Sequence, residues 1–132
     1  MNESDFRKKL LGFLHKSPTP FHVVSYIAET LQQQDFAELK EVEKWDIKPG
    51  KYFVRRNDSS IIAFQLGKRP IEETGFRMVG AHTDSPGLKL KPLPIIRRKG
   101  LFQLGVEVYG GALLNPWLDR DISIDGPITK TT

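Results

Sequence analysis

Phe6, Leu10, Phe13 and Leu14 fall at i, i+4, i+7 and i+8, the spacing of one face of an α-helix. The spacing predicts a first helix over 4–15, capped by Ser4, with Asp5 favouring the positive end of the helix dipole. Ser17-Pro18-Thr19-Pro20 then breaks the chain, and Thr19 before Pro20 is a good start for a second helix. That helix carries Val23, Val24, Ile27, Ala28 and Leu31 on one face and is expected to run to about Gln33. Phe36 to Trp45 mixes apolar and charged residues without a clean period. Beyond the Pro49-Gly50 turn the pattern becomes that of strands. Lys51–Arg56 and Ser60–Leu66 flank the turn residues Asn57-Asp58-Ser59 and predict a hairpin. Gly67 to Thr74 reads as a polar loop. Phe76 to Ala81 reads as a strand that delivers His82 to a sheet edge. Leu88 and Leu90 alternate with lysines, but Pro92 and Pro94 argue against a central strand there. Phe102 to Tyr109 alternates until Gly110-Gly111 interrupts it, and Ile122 and Ile124 alternate with polar residues up to Asp125-Gly126.

Helices and strands therefore mix before about Ser85 to Pro94, and only strand-like segments follow. An α/β unit hands over to an all-β unit. A length of 132 residues suits one domain with a real core, and 39% apolar with 27% charged residues is ordinary for a globular chain. There are no cysteines, which excludes disulfides, thiolate-bound zinc and thiol nucleophiles and is compatible with a reducing cytoplasm. No apolar run approaches the roughly 20 residues of a membrane span, and no apolar h-region follows the polar N-terminus, so neither a span nor a secretory signal is expected. The net charge is +4, with a basic cluster at Lys89, Lys91, Arg97, Arg98 and Lys99. No nucleic-acid motif or interleaved aromatic accompanies it, so a solvated strand surface is the expectation and nucleic acid is not expected as a partner.

Candidate chemistry centres on Gly80-Ala81-His82-Thr83-Asp84-Ser85-Pro86. Residues at i and i+2 of a strand share a face, so His82 and Asp84 can point the same way. A metal-bound imidazole usually hands its other N–H to a carboxylate or carbonyl, which fixes its tautomer. The pair looks like half of a metal site. The pattern alone also fits a structural pair at a strand end, and catalytic zinc typically takes three protein ligands. His15, at the end of the first helix, and His22, at the start of the second, read as surface histidines. Asp119 and Asp121 read either as ligands for a hard cation or as salt-bridge partners of Arg120. No glycine pattern for nucleotide phosphates is present, and Ser85 and Ser123 lack a nucleophile's surroundings.

Four stretches occur in one order: Ser17-Pro18-Thr19-Pro20-Phe21-His22, Tyr52 to Ser60, Gly80 to Pro86, and Tyr109-Gly110-Gly111 with Asn115-Pro116-Trp117-Leu118-Asp119-Arg120-Asp121. This set strongly resembles the start of the aspartyl aminopeptidase family of zinc metallopeptidases, over nearly the whole chain. Leu118 stands where many relatives carry Phe. The resemblance implies an α/β fold: the N-terminal part of a split metallopeptidase catalytic domain over 1–91, then the start of a mainly β inserted dimerisation domain over 92–132. It implies a cytoplasmic homo-oligomer that removes N-terminal Asp or Glu from peptides with two zinc ions. His82 matches the family's first metal-ligand histidine. Asp84 matches the catalytic-site aspartate that supports it. The other ligands and the glutamate base lie in a later part of the family's catalytic domain that has no counterpart in these 132 residues. The chain alone is therefore expected to bind zinc weakly and to lack activity. A noncatalytic interaction module of the same fold is the alternative, and a basic nucleic-acid-binding domain a more distant one.

Overall fold

Asn2 starts the first helix, α1 (Glu3–Lys16), by accepting the Asp5 N–H on Oδ1 at 2.8 Å. The expected cap, Ser4, lies inside the helix, because the helix starts two residues earlier and Asn2 caps it there. The structure, a computed structural model, describes residues 2–119 and 121–126. The second helix, α2 (Pro20–Gln32), begins where Thr19-Pro20 predicts. Its Thr19 hydroxyl makes no cap bond and instead lies 2.7 Å from Nδ1 of His22.

Three strands follow as β1 (Ala37–Leu39), β2 (Gly50–Arg56) and β3 (Ser60–Leu66), arranged in one sheet in that order. The β2–β3 hairpin is as the alternation predicts, with Phe53 opposite Ala63 and Arg56 opposite Ser60. The region without clean period contains β1, which pairs parallel to β2 and places Glu38 beside Phe53. Hydrophobic pattern misses it because three residues are too few for a period. Its pairing is reinforced by charge: Arg55 Nε donates to Glu38 Oε1 at 2.8 Å, and Arg56 Nε donates to Glu41 Oε1 at 2.9 Å. Helix α2 packs on β2 and β3. The buried apolar residues among those described are Val24 and Ala28 of α2 and Phe53 and Val54 of β2. Helix α1 buries none of its residues; Phe13 meets the edge of Tyr26 with ring centroids 5.5 Å apart.

The expected polar loop contains one helical turn, α3 (Ile71–Thr74). The expected strand over Phe76 to Ala81 does not form: no strand is assigned between α3 and Gly87, and Met78 and Val79 are exposed. Apolar, β-prone residues become a strand only where a neighbour accepts their ladder hydrogen bonds, and among the described residues no strand pairs with this run. His82 therefore sits in an irregular, exposed segment, and not at the end of a strand.

Two long strands, β4 (Gly87–Arg98) and β5 (Leu101–Tyr109), form a separate antiparallel ribbon. Strand β4 runs through Pro92 and Pro94. In a two-stranded ribbon every strand is an edge, and the register shifts between Leu90 and Ile95, where a proline's missing N–H costs no ladder bond. Asn115–Leu118 forms a turn of 3-10 helix, and the expected strand around Ile122 and Ile124 is absent, the described residues 121–126 being irregular. The chain divides into two compact units. One runs to Thr83 and takes up the chain again at Asp125; the other is Asp84–Ile124. In the first, Asp125 Oδ1 lies 3.7 Å from His22 Nε2.

Candidate metal centre

The β2–β3 turn bonds to the segment that carries His82. Asn57 and Asp58 have φ of 51° and 51°, the left-handed region that Asn and Asp tolerate better than other side-chain-bearing residues. The Ser59 N–H closes the turn on the Arg56 carbonyl at 3.2 Å. Because Arg56 pairs with Ser60, Ser59 stands outside the ladder. Its carbonyl accepts the Thr83 hydroxyl at 2.9 Å. Thr83 is half-buried, and the imidazole of His82 just before it is exposed.

In the second unit Asp84 is half-buried, and its Oδ2 accepts the phenol of Tyr109 at 2.6 Å. A bond this short to a carboxylate is charge-assisted. It holds the Tyr109 phenol above its ordinary pKa of about 10, first through the hydrogen bond and then through the adjacent negative charge. Gly110 follows with φ 66°, a conformation that favours glycine, and a Cβ there would lie 3.4 Å from the Pro86 ring. The Trp117 indole lies against Gly87, where an added Cβ would be 3.6 Å from the ring. Two stretches far apart in sequence, Asp84 to Gly87 and Tyr109 to Trp117, thus meet. Tyr109 as the partner of Asp84 escaped sequence reasoning; the only signal was its place at the head of Tyr109-Gly110-Gly111.

The remaining sequence candidates are placed elsewhere. His15 lies in the last turn of α1. His22 is partly exposed and engaged with Thr19, as expected of a satisfied surface histidine. Asp119 and Asp121 are exposed and outside any strand, and Arg120 lies outside the described residues. The basic residues Lys89, Lys91, Arg97 and Arg98 lie along β4, and the Arg97 guanidinium sits 4.8 Å from the Phe102 ring centroid. No helix among the described residues is long and apolar enough to cross a membrane. Among the described residues no three His, Cys, Asp or Glu side chains gather where they could hold a metal ion. The chemistry on offer is one imidazole and one carboxylate that is already oriented.

Yeast aminopeptidase 1 (Ape1) superposes with a TM-score of 0.83 at 37% identity, covering 91% of this chain and 29% of that one. The S. cerevesiae mApe1 dodecamer gives 0.82 at 36% identity, with 92% and 29% covered. The "Probable M18 family aminopeptidase 2" of Ectopseudomonas mendocina (strain ymp) is 58% identical over 121 residues, 91% of this chain and 28% of that protein. The protein of the same name from Stutzerimonas stutzeri (strain A1501) is 54% identical over 126 residues, 95% of this chain and 29% of that protein. The chain thus spans under a third of the length of the curated relatives it matches. The sequence signature of the aminopeptidase I zinc metalloproteases (M18) matches residues 13–131, a span that takes in the second helix, the hairpin, His82-Thr83-Asp84 and the Trp117 segment. The chain belongs to the M18 family of aminopeptidase I zinc metalloproteases.

Proposed function

We propose that this chain is the N-terminal part of a zinc-dependent aminopeptidase that removes N-terminal Asp or Glu from peptides in the cytoplasm as a homo-oligomer. The observation that carries the reading is the M18 match running through His82-Thr83-Asp84. In the proposal His82 is a zinc ligand and Asp84 the carboxylate that supports it. The residues fit one ligand position: His82 is an exposed imidazole, and Asp84 is held by Tyr109. They do not complete a coordination sphere, which takes about three protein ligands, so the two-zinc site draws its other ligands and its general base from the rest of the protein. Held there by His82 and the ligands from the rest of the protein, zinc would supply Lewis-acid chemistry, polarising a carbonyl and lowering the pKa of a bound water to about 7. The chain's own part is to present the imidazole and to orient its supporting carboxylate through Tyr109. Residues 92–132 are proposed as the start of a β-rich inserted dimerisation domain. A relative described as a dodecamer supports self-association.

The full-length enzyme tests this. It should contain zinc and cleave peptides with N-terminal Asp faster than those with N-terminal Leu, and His82→Ala should remove both zinc and activity. Equal rates on the two peptides would refute the acidic preference. Full zinc content in His82→Ala would refute the ligand assignment. The 132-residue chain alone should bind zinc weakly and turn over no substrate. Submicromolar zinc binding that depends on His82 would instead reveal a completed site.

A further inference from the structure

We infer that Thr83 is a positioning residue, whose hydroxyl bond to the Ser59 carbonyl uses the β2–β3 turn to fix the peptide that carries His82. The inference rests on the reading of His82 as a metal ligand. His82 needs such a device because it lies in no strand or helix of its own. An irregular exposed segment samples many backbone conformations, and holding a ligand in one of them costs free energy at the moment of metal binding. The body that this segment bonds to in the same unit is the β2–β3 hairpin. Phe53 and Val54 bury it in the core, and Arg55 ties it to β1 through Glu38 at 2.8 Å. Arg55 Nη1 also lies 3.6 Å from Asp58 Oδ1 inside the turn.

Asn57, Asp58 and Ser59 lie outside the ladder, and the Thr83 hydroxyl donates to the Ser59 carbonyl at 2.9 Å from a half-buried position. The bond is one residue from His82 and links positions 24 apart in sequence. Rigidity thus passes from core to hairpin, from turn to Thr83, and so to the neighbouring imidazole. The same argument gives the Tyr52 to Ser60 stretch a role in the site, although none of its side chains is a ligand candidate.

The test is cobalt(II) binding to the metal-free full-length enzyme, followed by the visible absorption of the bound ion and by competition with a chelator. Four variants are compared: Thr83→Val, Thr83→Ser, His82→Ala and Thr30→Val. The last deletes a similar hydroxyl bond, Thr30 to the Tyr26 carbonyl at 2.8 Å, in α2. Outer partners of metal ligands are typically worth tenfold or more in affinity, so Thr83→Val should lose about tenfold and change the cobalt spectrum. Thr83→Ser should restore both, and Thr30→Val should leave both unchanged. Thr83→Val with wild-type affinity and spectrum would overturn the inference. So would Thr83→Ser as defective as Thr83→Val, or Thr30→Val as damaging. If Thr83→Val melts at lower temperature when metal-free, the Thr83→Ser spectrum decides in the same way. If His82→Ala binds cobalt like the wild type, the ligand assignment fails, an outcome distinct from a silent Thr83→Val beside a defective His82→Ala.

Discussion

Glu38→Gln isolates the charge that holds β1 to the sheet, because the amide keeps the side chain's size and loses only its ionisation. The Glu38 side chain is 17% exposed and the Arg55 side chain 30%. Their 2.8 Å contact is joined by Lys40 Nζ at 3.2 Å. Exposed ion pairs contribute roughly 0.2–1 kcal/mol, and removing one partner of a fully buried pair costs about 3–5 kcal/mol. A half-buried pair lies between, so the substitution should cost about 1–2 kcal/mol at neutral pH. The Arg55 hydrogen bond, with a smaller contribution from Lys40, holds the Glu38 carboxyl below its ordinary pKa of about 4.3, against the opposing effect of burial. A folded-state pKa that is depressed stabilises the protein above the unfolded value, and the gain disappears as pH falls through the folded one. Urea denaturation should therefore show a constant gap between wild type and Glu38→Gln from neutral pH down to about pH 5.5, closing progressively below about pH 4. A double-mutant cycle with Arg55→Gln should return most of the gap as coupling. A gap that stays the same at low pH, or a coupling near zero, would show that β1 is held by something other than this pair.

Two further substitutions test the hairpin that carries the site. Phe53 is fully buried at the centre of β2, so Phe53→Ala should destabilise the protein by about 3–5 kcal/mol, read as a lower urea midpoint; a loss under about 1 kcal/mol would mean that the site collapses to fill the cavity. Asn57 has φ 51°, so Asn57→Ala should cost about 1 kcal/mol while Asn57→Gly costs none, and equal stabilities for the two would remove backbone strain as the cause.

Both helices, the hairpin and the β5 strand were legible in the sequence, because each rests on local rules. Phe6, Leu10 and Leu14 repeat at helical spacing whatever surrounds them, and Asn57-Asp58 is turn material wherever it stands. The ordered stretches that resemble the family lie in the chain itself, so its membership was readable as well.

Other features depended on a partner elsewhere in the chain. Strand β1 exists because β2 accepts it in parallel, and no period in three residues announces that. Phe76 to Ala81 carries the apolar, β-prone pattern yet forms no strand, since ladder hydrogen bonds need a second strand and the described residues provide none there. Strand β4 runs through Pro92 and Pro94 because its ribbon has only edges. The bond from Thr83 to Ser59 spans 24 residues, and that from Tyr109 to Asp84 spans 25. Such contacts are set by how the chain folds back on itself, while periodicity and turn chemistry report only on residues within a turn or two of each other.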